Sequence, residues 1–318
     1  MTATLELPRL SSSGITIAPA DLGWVTESTD LVDDGPALRE RMARDGYLFL
    51  RGVLPVDEVL AARASVCAQL ARDGHLDPAA PELDCVWNRR ERLTFKPEYA
   101  NKNPAVERLL YGPHMLGFFR TLLDAPVAHY DFTWLRAVAP GHGAPPHCDV
   151  VYMGRGDTRR LYTCWTPLGH VGFDSGGLIV LEGSHTHQHL RETYGKHDVD
   201  SHCSNKSLPD GKPDGDGWGD KFKWVPGMNG YGGSLGADCN RLRKHLGNFR
   251  WLTAEYNPGD ILLFSMYTVH ASIDNLTPDR IRLSTDSRYQ PAGTAMDDRW
   301  IGDNPVAHSA AGKRGKIC

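Results

Sequence analysis

The sequence predicts a mainly β protein with flanking helices, folded as a double-stranded β-helix, the two-sheet jelly roll. Three observations carry that expectation. Helical spacing is concentrated in residues 36–124, and short apolar runs divided by Gly and Pro dominate the chain beyond them. Two of the later runs also carry residues fit to ligate a metal, and a double-sheet sandwich can aim such groups inward at one end.

Residues 36–45 (PALRERMARD) and 55–73 (PVDEVLAARASVCAQLARD) place apolar side chains at helical intervals, and each opens on a Pro tolerated in a first turn. Between them residues 47–53 read as a buried strand. Residues 103–124, with VERLL and MLGFFRTLLD, give one further helical stretch, and 128–138 begin the short strands. Residues 190–250 form a polar insertion crowded with Gly and Asp, too long for an ordinary connection, which suits a substrate-binding element as well as a surface excursion. Its Asp210, Asp214 and Asp216 hint at a calcium loop, but Val225 stands where the twelfth-position Glu is needed. Residues 227–236, though Gly-rich, lack the Gly-Lys-Ser/Thr of a phosphate loop. The organisation expected is one catalytic domain over 1–318: helical support at about 20–126, a jelly-roll core at about 127–291 carrying the insertion, and a tail over 292–318.

Composition excludes several function classes. With 41% hydrophobic and 23% charged residues, a net charge of −4 and no apolar run near the ~20 residues of a membrane span, the chain reads as soluble, with neither nucleic acid nor membrane as partner. The N-terminus has no positive n-region or continuous apolar h-region, so a cytoplasmic location is expected. Seven scattered cysteines without a C-x-x-C argue for free thiols rather than a disulfide framework or a zinc ribbon.

The chemistry centres on residues 145–165, PPHCDVVYMGRGDTRRLYTCW. On an extended backbone, residues two apart face one side, so His147 and Asp149 offer an imidazole and a carboxylate to one point, while Cys148 turns away into the wall. His270, closing the apolar run ILLFSMYTVH, is the best third ligand. Two histidines and one carboxylate on one face of a metal leave the opposite positions open, which suits non-haem Fe(II) activating dioxygen. With 14 His in 318 residues, about one His-x-Asp is expected by chance, and the second copy, His75-Leu76-Asp77, reads as a turn before Pro78. His185, His187 and His189 in GSHTHQH, and His142 and His170 beside glycines, read as loop polar groups rather than ligands.

Company strengthens the first copy. Ten and twelve residues after His270 come Arg280 and Arg282 in an alternating segment, delivering a guanidinium from the next strand, a group that pairs bidentately with a carboxylate. Taken together, His-Cys-Asp, Trp165, GGLIVLEGSH at 176–185, H-A-S-x-x-N and R-I-R-L-S-x-D-x-R-Y-Q resemble the phytanoyl-CoA dioxygenase family of Fe(II)/2-oxoglutarate oxygenases. DGYLFLRGVLP at 45–55 resembles that family's opening strand, so the likeness runs over roughly residues 36 to 291.

That resemblance implies His147, Asp149 and His270 as iron ligands, 2-oxoglutarate as cosubstrate and dioxygen as oxidant, with succinate and carbon dioxide formed as a substrate C–H is hydroxylated. It also implies that an Arg on the strand after His270 pairs with the far carboxylate of 2-oxoglutarate. The loop at 275–279 is one residue longer than the common family spacing, so Arg282, followed by Ser284, is favoured and Arg280 is the alternative. Trp165 and Ser272 match family positions near the cosubstrate. By default a strand Trp is a core residue and a turn hydroxyl satisfies its own backbone. Because Asp149 keeps its carboxylate, hydroxylation is expected over halogenation.

The substrate expected is a small-molecule metabolite. It is anionic if the basic runs at 88–92 (with Lys96) or 155–160 meet it, though such runs are usually solvated faces. Two other classes stay open: a cupin-like metalloenzyme without 2-oxoglutarate, for which Arg282 is dispensable, and a non-catalytic jelly-roll binding protein, which forms no succinate.

Overall fold

The computed structural model describes residues 7–141, 143–201 and 233–312. Strands β1 (Leu10–Ser12) and β2 (Ile15–Ile17) form a hairpin, followed by β3 (Leu22–Trp24). Helix α1 (Gly35–Asp45) starts where the Asp34 carboxylate accepts the Ala37 N–H, and stops at Gly46, whose φ of +78° only glycine adopts cheaply. Strand β4 (Tyr47–Leu50) and helix α2 (Val56–Arg72) follow as the periodicity predicts.

Two expected elements are each split. The helical stretch 103–124 is two helices, α3 (Pro104–Tyr111) and α4 (Pro113–Leu123). Pro113 has no N–H to continue the ladder and forces Gly112 into an extended conformation, φ −81° and ψ 177°. The run 128–138 is likewise two strands, β5 (Val127–His129) and β6 (Trp134–Val138). The remaining elements are α5 (Val150–Met153), β7 (Tyr162–Pro167), β8 (Leu178–Leu181), α6 (Gln188–Glu192), α7 (Cys239–His245), β9 (Trp251–Thr253), β10 (Ile261–Ser265), β11 (His270–Ser272) and β12 (Arg282–Pro291).

The strands make an open two-sheet jelly roll. The larger sheet runs β4-β10-β7-β12-β5, with β6 also on β12, and the smaller runs β11-β8-β9-β3. Strand alternation sorts the larger sheet into two faces. One face gives Leu48, Leu50, Cys164, Ile261, Leu263, Leu283 and Tyr289 to a core shared with α1–α4. The other gives Tyr47, Phe49, Trp165, Leu262 and Phe264, which meet Val180 and Leu252 of the smaller sheet. The helices therefore buttress the outside of the larger sheet, and the space between the sheets is left for the site.

Residues 202–232 of the insertion lie outside the described residues, including Asp210, Asp214, Asp216, Cys203 and most of the Gly-rich run; so do His142 and Cys318. The described flanks pack on the segment around His147 and Asp149: the Leu235 N–H donates to the Pro146 carbonyl at 2.7 Å, and the Tyr194 hydroxyl accepts the Cys148 N–H at 3.2 Å. No described helix is long and apolar enough to cross a membrane. The five described cysteines are free, with Cys67 and Cys85 sulfurs 3.6 Å apart.

Candidate active site

His147 and His270 are zipped together through their backbones, each N–H donating to the other's carbonyl at 3.0 Å in an isolated bridge. The chain does not stay extended after it. Asp149 is already right-handed helical, φ −67° and ψ −23°, and leads into α5, so the expected extended backbone through His147 and Asp149 is corrected: the strand of this stretch is Tyr162–Pro167. A turn, not a two-residue alternation, brings Asp149 round to face both rings. Cys148 is fully buried with its thiol donating to the Tyr267 carbonyl, as expected for a wall residue.

The possible ligand atoms of His147, Asp149 and His270 all lie within 4.8 Å of one another, forming the one His/Cys/Asp/Glu cluster of metal-site geometry among the described residues. Asp149 Oδ1 is 3.8 Å from His147 Nε2 and 3.7 Å from His270 Nε2. Each ring's Nδ1 faces a carbonyl, Pro145 at 2.8 Å and Thr268 at 3.1 Å. A carbonyl only accepts, so Nδ1 carries the proton and the Nε2 lone pair points into the site. Burial, then His270, pushes His147 down to about 3, and burial likewise lowers His270, so both imidazoles are neutral and ready to ligate. Burial would raise Asp149, but Arg288, then the two imidazoles and the Thr163 hydroxyl, outweigh it and hold the carboxyl well below its usual range.

Inward-facing β12 residues make a buried polar ladder of Arg282, Ser284, Asp286 and Arg288. Arg136 of β6 pairs with Asp286 at 2.6 Å. Arg282 has no carboxylate partner among the described residues: Nη1 donates to the Ser284 hydroxyl, and its Nε is buried without a partner. Burial first, and then Arg136, lowers this guanidinium to about 10, which still leaves it charged at neutral pH. A buried guanidinium with an unpartnered Nε fits a ligand carboxylate. Trp165, 1% exposed, packs edge-on to Tyr256 and leaves its buried indole N–H unpaired. The Ser272 hydroxyl accepts the Ala144 N–H at 2.6 Å and keeps its own proton to donate.

Other sequence candidates fall elsewhere. Arg280 is half exposed and bonds to Asp84; it lines a depression of about 580 Å³ that Arg282 also borders from its buried position and that none of the triad lines. His185 packs its ring on Gly46 and faces the Ala43 carbonyl, while His187 caps α6. The basic runs at 88–92 and 155–160 do not line the triad's cavity, and Arg155 is buried against Asp198.

That cavity, about 280 Å³, is walled by Phe95, Trp134, Arg136, Tyr152, Met153 and His308. The last comes from the C-terminal tail, whose Trp300 also packs on Trp134 with centroids 4.6 Å apart. Sequence reasoning missed Arg288, Thr163 and this aromatic wall. Parity alone would have flagged the first two: Arg288 is six residues after Arg282, and Thr163 two before Trp165, each on the same strand face.

Comparison with known proteins places the chain by family and by fold. The model of the Phytanoyl-CoA dioxygenase (PhyH) family matches residues 42–284. The chain is 26% identical over 283 residues to 1-deoxypentalenic acid 11-beta-hydroxylase of Streptomyces exfoliatus, covering 84% of this chain and 85% of that one. Its fold is similar to EctD from S. alaskensis, with a TM-score of 0.55 at 18% identity over 90% and 87% of the two chains. It is also similar to the non-heme alpha ketoglutarate dependent carbocyclase SnoK, with a TM-score of 0.53 at 18% identity over 86% and 89%.

Proposed function

The chain belongs to the phytanoyl-CoA dioxygenase family and is a 2-oxoglutarate-dependent non-haem iron oxygenase, and we propose that it hydroxylates an unactivated C–H bond of a small molecule at the centre formed by His147, Asp149 and His270. Two observations support this reading: a three-ligand cluster, and, on the inward face of β12, a buried, charged guanidinium that has no carboxylate partner among the described residues, Arg282. In this reading the triad holds Fe(II), Arg282 takes the far carboxylate of 2-oxoglutarate, and Ser272 and the Trp165 indole N–H offer it hydrogen bonds. Bound there, iron, 2-oxoglutarate and dioxygen supply the oxidising chemistry, with succinate and carbon dioxide as the other products.

The protein's residues do the rest. Both imidazoles stay unprotonated, Asp149 stays ionised, and Phe95, Trp134 and Met153 give the reacting face an apolar wall. A cavity of about 280 Å³ with an aromatic wall favours a compact, mostly apolar skeleton, in keeping with the hydroxylase relative named for 1-deoxypentalenic acid. The described residues read as one catalytic unit, since the larger sheet, the segment carrying His147 and Asp149, and the C-terminal tail all line a single cavity. Buried, unlinked thiols at Cys67 and Cys85 fit a cytoplasmic setting.

The test is anaerobic titration with Fe(II) and then 2-oxoglutarate, followed by the visible metal-to-ligand charge-transfer absorption of the chelate. The expected result is a band that needs both additions, is lost in His147→Ala, and in Arg282→Ala requires about 10- to 100-fold more 2-oxoglutarate, since a charge-assisted bidentate pair is removed. Bound iron without any band on addition of 2-oxoglutarate would overturn the reading.

A further inference from the structure

The two oxygens of Asp149 are treated unequally. Oδ1 faces the two Nε2 atoms, whereas Oδ2 accepts hydrogen bonds from Arg288 Nη2 at 2.8 Å and from the Thr163 hydroxyl at 2.5 Å. Arg288 is itself fixed. It is 2% exposed, its guanidinium carbon lies 3.8 Å from the centre of the Trp134 ring, and Nη1 donates to the Asp286 carbonyl at 3.1 Å. Arg136, the other guanidinium nearby, is committed to the Asp286 carboxylate and cannot replace it.

We propose that Arg288, with Thr163, is a positioning residue that restricts Asp149 to offering one oxygen to the metal. The proposal rests on the iron site proposed above. Three protein ligands, two atoms of 2-oxoglutarate and dioxygen fill six positions. A carboxylate free to swing would offer its second oxygen as well and occupy a position that the cosubstrate or dioxygen needs. Holding Oδ2 with two donors, one of them charged and desolvated, makes that swing unfavourable. Arg288 also forms part of the cavity wall through Trp134, so the group that fixes the metal ligand is continuous with the substrate surface.

Anaerobic titration with Co(II), whose visible ligand-field bands report the symmetry of its ligand set, reads this without turnover. Relative to wild type, Arg288→Gln and Thr163→Val are expected to bind Co(II) with shifted bands, as a second Asp149 oxygen replaces solvent, and then to bind 2-oxoglutarate about tenfold more weakly. Arg288→Lys, which keeps a charged donor, is expected to recover part of both. Variants with the wild-type cobalt spectrum and wild-type 2-oxoglutarate affinity would overturn the proposal and leave Arg288 as a wall residue. If Arg288→Gln does not fold, Thr163→Val decides by the same two readouts. Wild-type protein that binds Co(II) but never 2-oxoglutarate would sink the iron/2-oxoglutarate reading instead, while the metal-only spectra still decide the role of Arg288.

Discussion

The histidines of the site are held neutral by being dry, and this has a consequence for the metal-free protein. In the unfolded chain His147 takes up a proton near pH 6.5, whereas in the folded protein burial and then His270 defer this to about 3. Between those values the unfolded state binds more protons, so acidification favours unfolding, by up to about 1.4 kcal/mol per pH unit for one such residue. His270 is displaced in the same direction. Asp149, held below its usual range, adds a loss of stability only at still lower pH. Denaturant unfolding of the metal-free protein is therefore expected to show a midpoint falling from pH 7 to pH 5, with a flatter dependence in His147→Gln; a pH-independent midpoint would contradict the burial argument.

At the level of elements, the site hangs on two short connections. Gly46 ends α1 in the left-handed region, its carbonyl accepts from Ser265 N–H and the Thr268 hydroxyl just ahead of His270, and a Cβ there would sit 2.4 Å from the His185 ring. Gly46→Ala is expected to destabilise the protein by about 1–3 kcal/mol, from left-handed strain plus displacement of the ring, as read by urea unfolding. At the other end of β11 the hairpin of β1 and β2 grips the chain: the N–H groups of Ser13 and Gly14 both donate to the Asp274 carboxylate at 2.9 Å. His270 is thus fixed from both sides.

Across the whole molecule, the tail closes the cavity through a buried ionic network. Arg299, 1% exposed, bridges Asp297 and Asp200, both fully buried, and the His308 ring that faces the cavity bonds to Asp200 at 2.7 Å. Removing the cation leaves buried carboxylates without it, so Arg299→Ala is expected to cost about 3–5 kcal/mol in chemical denaturation. Loss of less than about 1 kcal/mol would mean the network is solvated.

The sequence by itself determined the fold class, the outer helices and the three metal-ligand candidates, because periodicity and ligand chemistry are local properties of residues such as His147 and His270. It narrowed the choice between Arg280 and Arg282 without separating them by environment. Tertiary structure placed Arg282 in the interior and Arg280 at the surface, broke the expected helix at Gly112 and Pro113, and turned Asp149 by a helical residue rather than a strand. It also brought Thr163 and Arg288 to one carboxylate oxygen, Trp300 onto Trp134, and His308 to the cavity. Those contacts join residues 14 to more than 100 positions apart. Strand parity says which way a side chain faces; only long-range pairing of β12 with β6 and β7 decides what it faces.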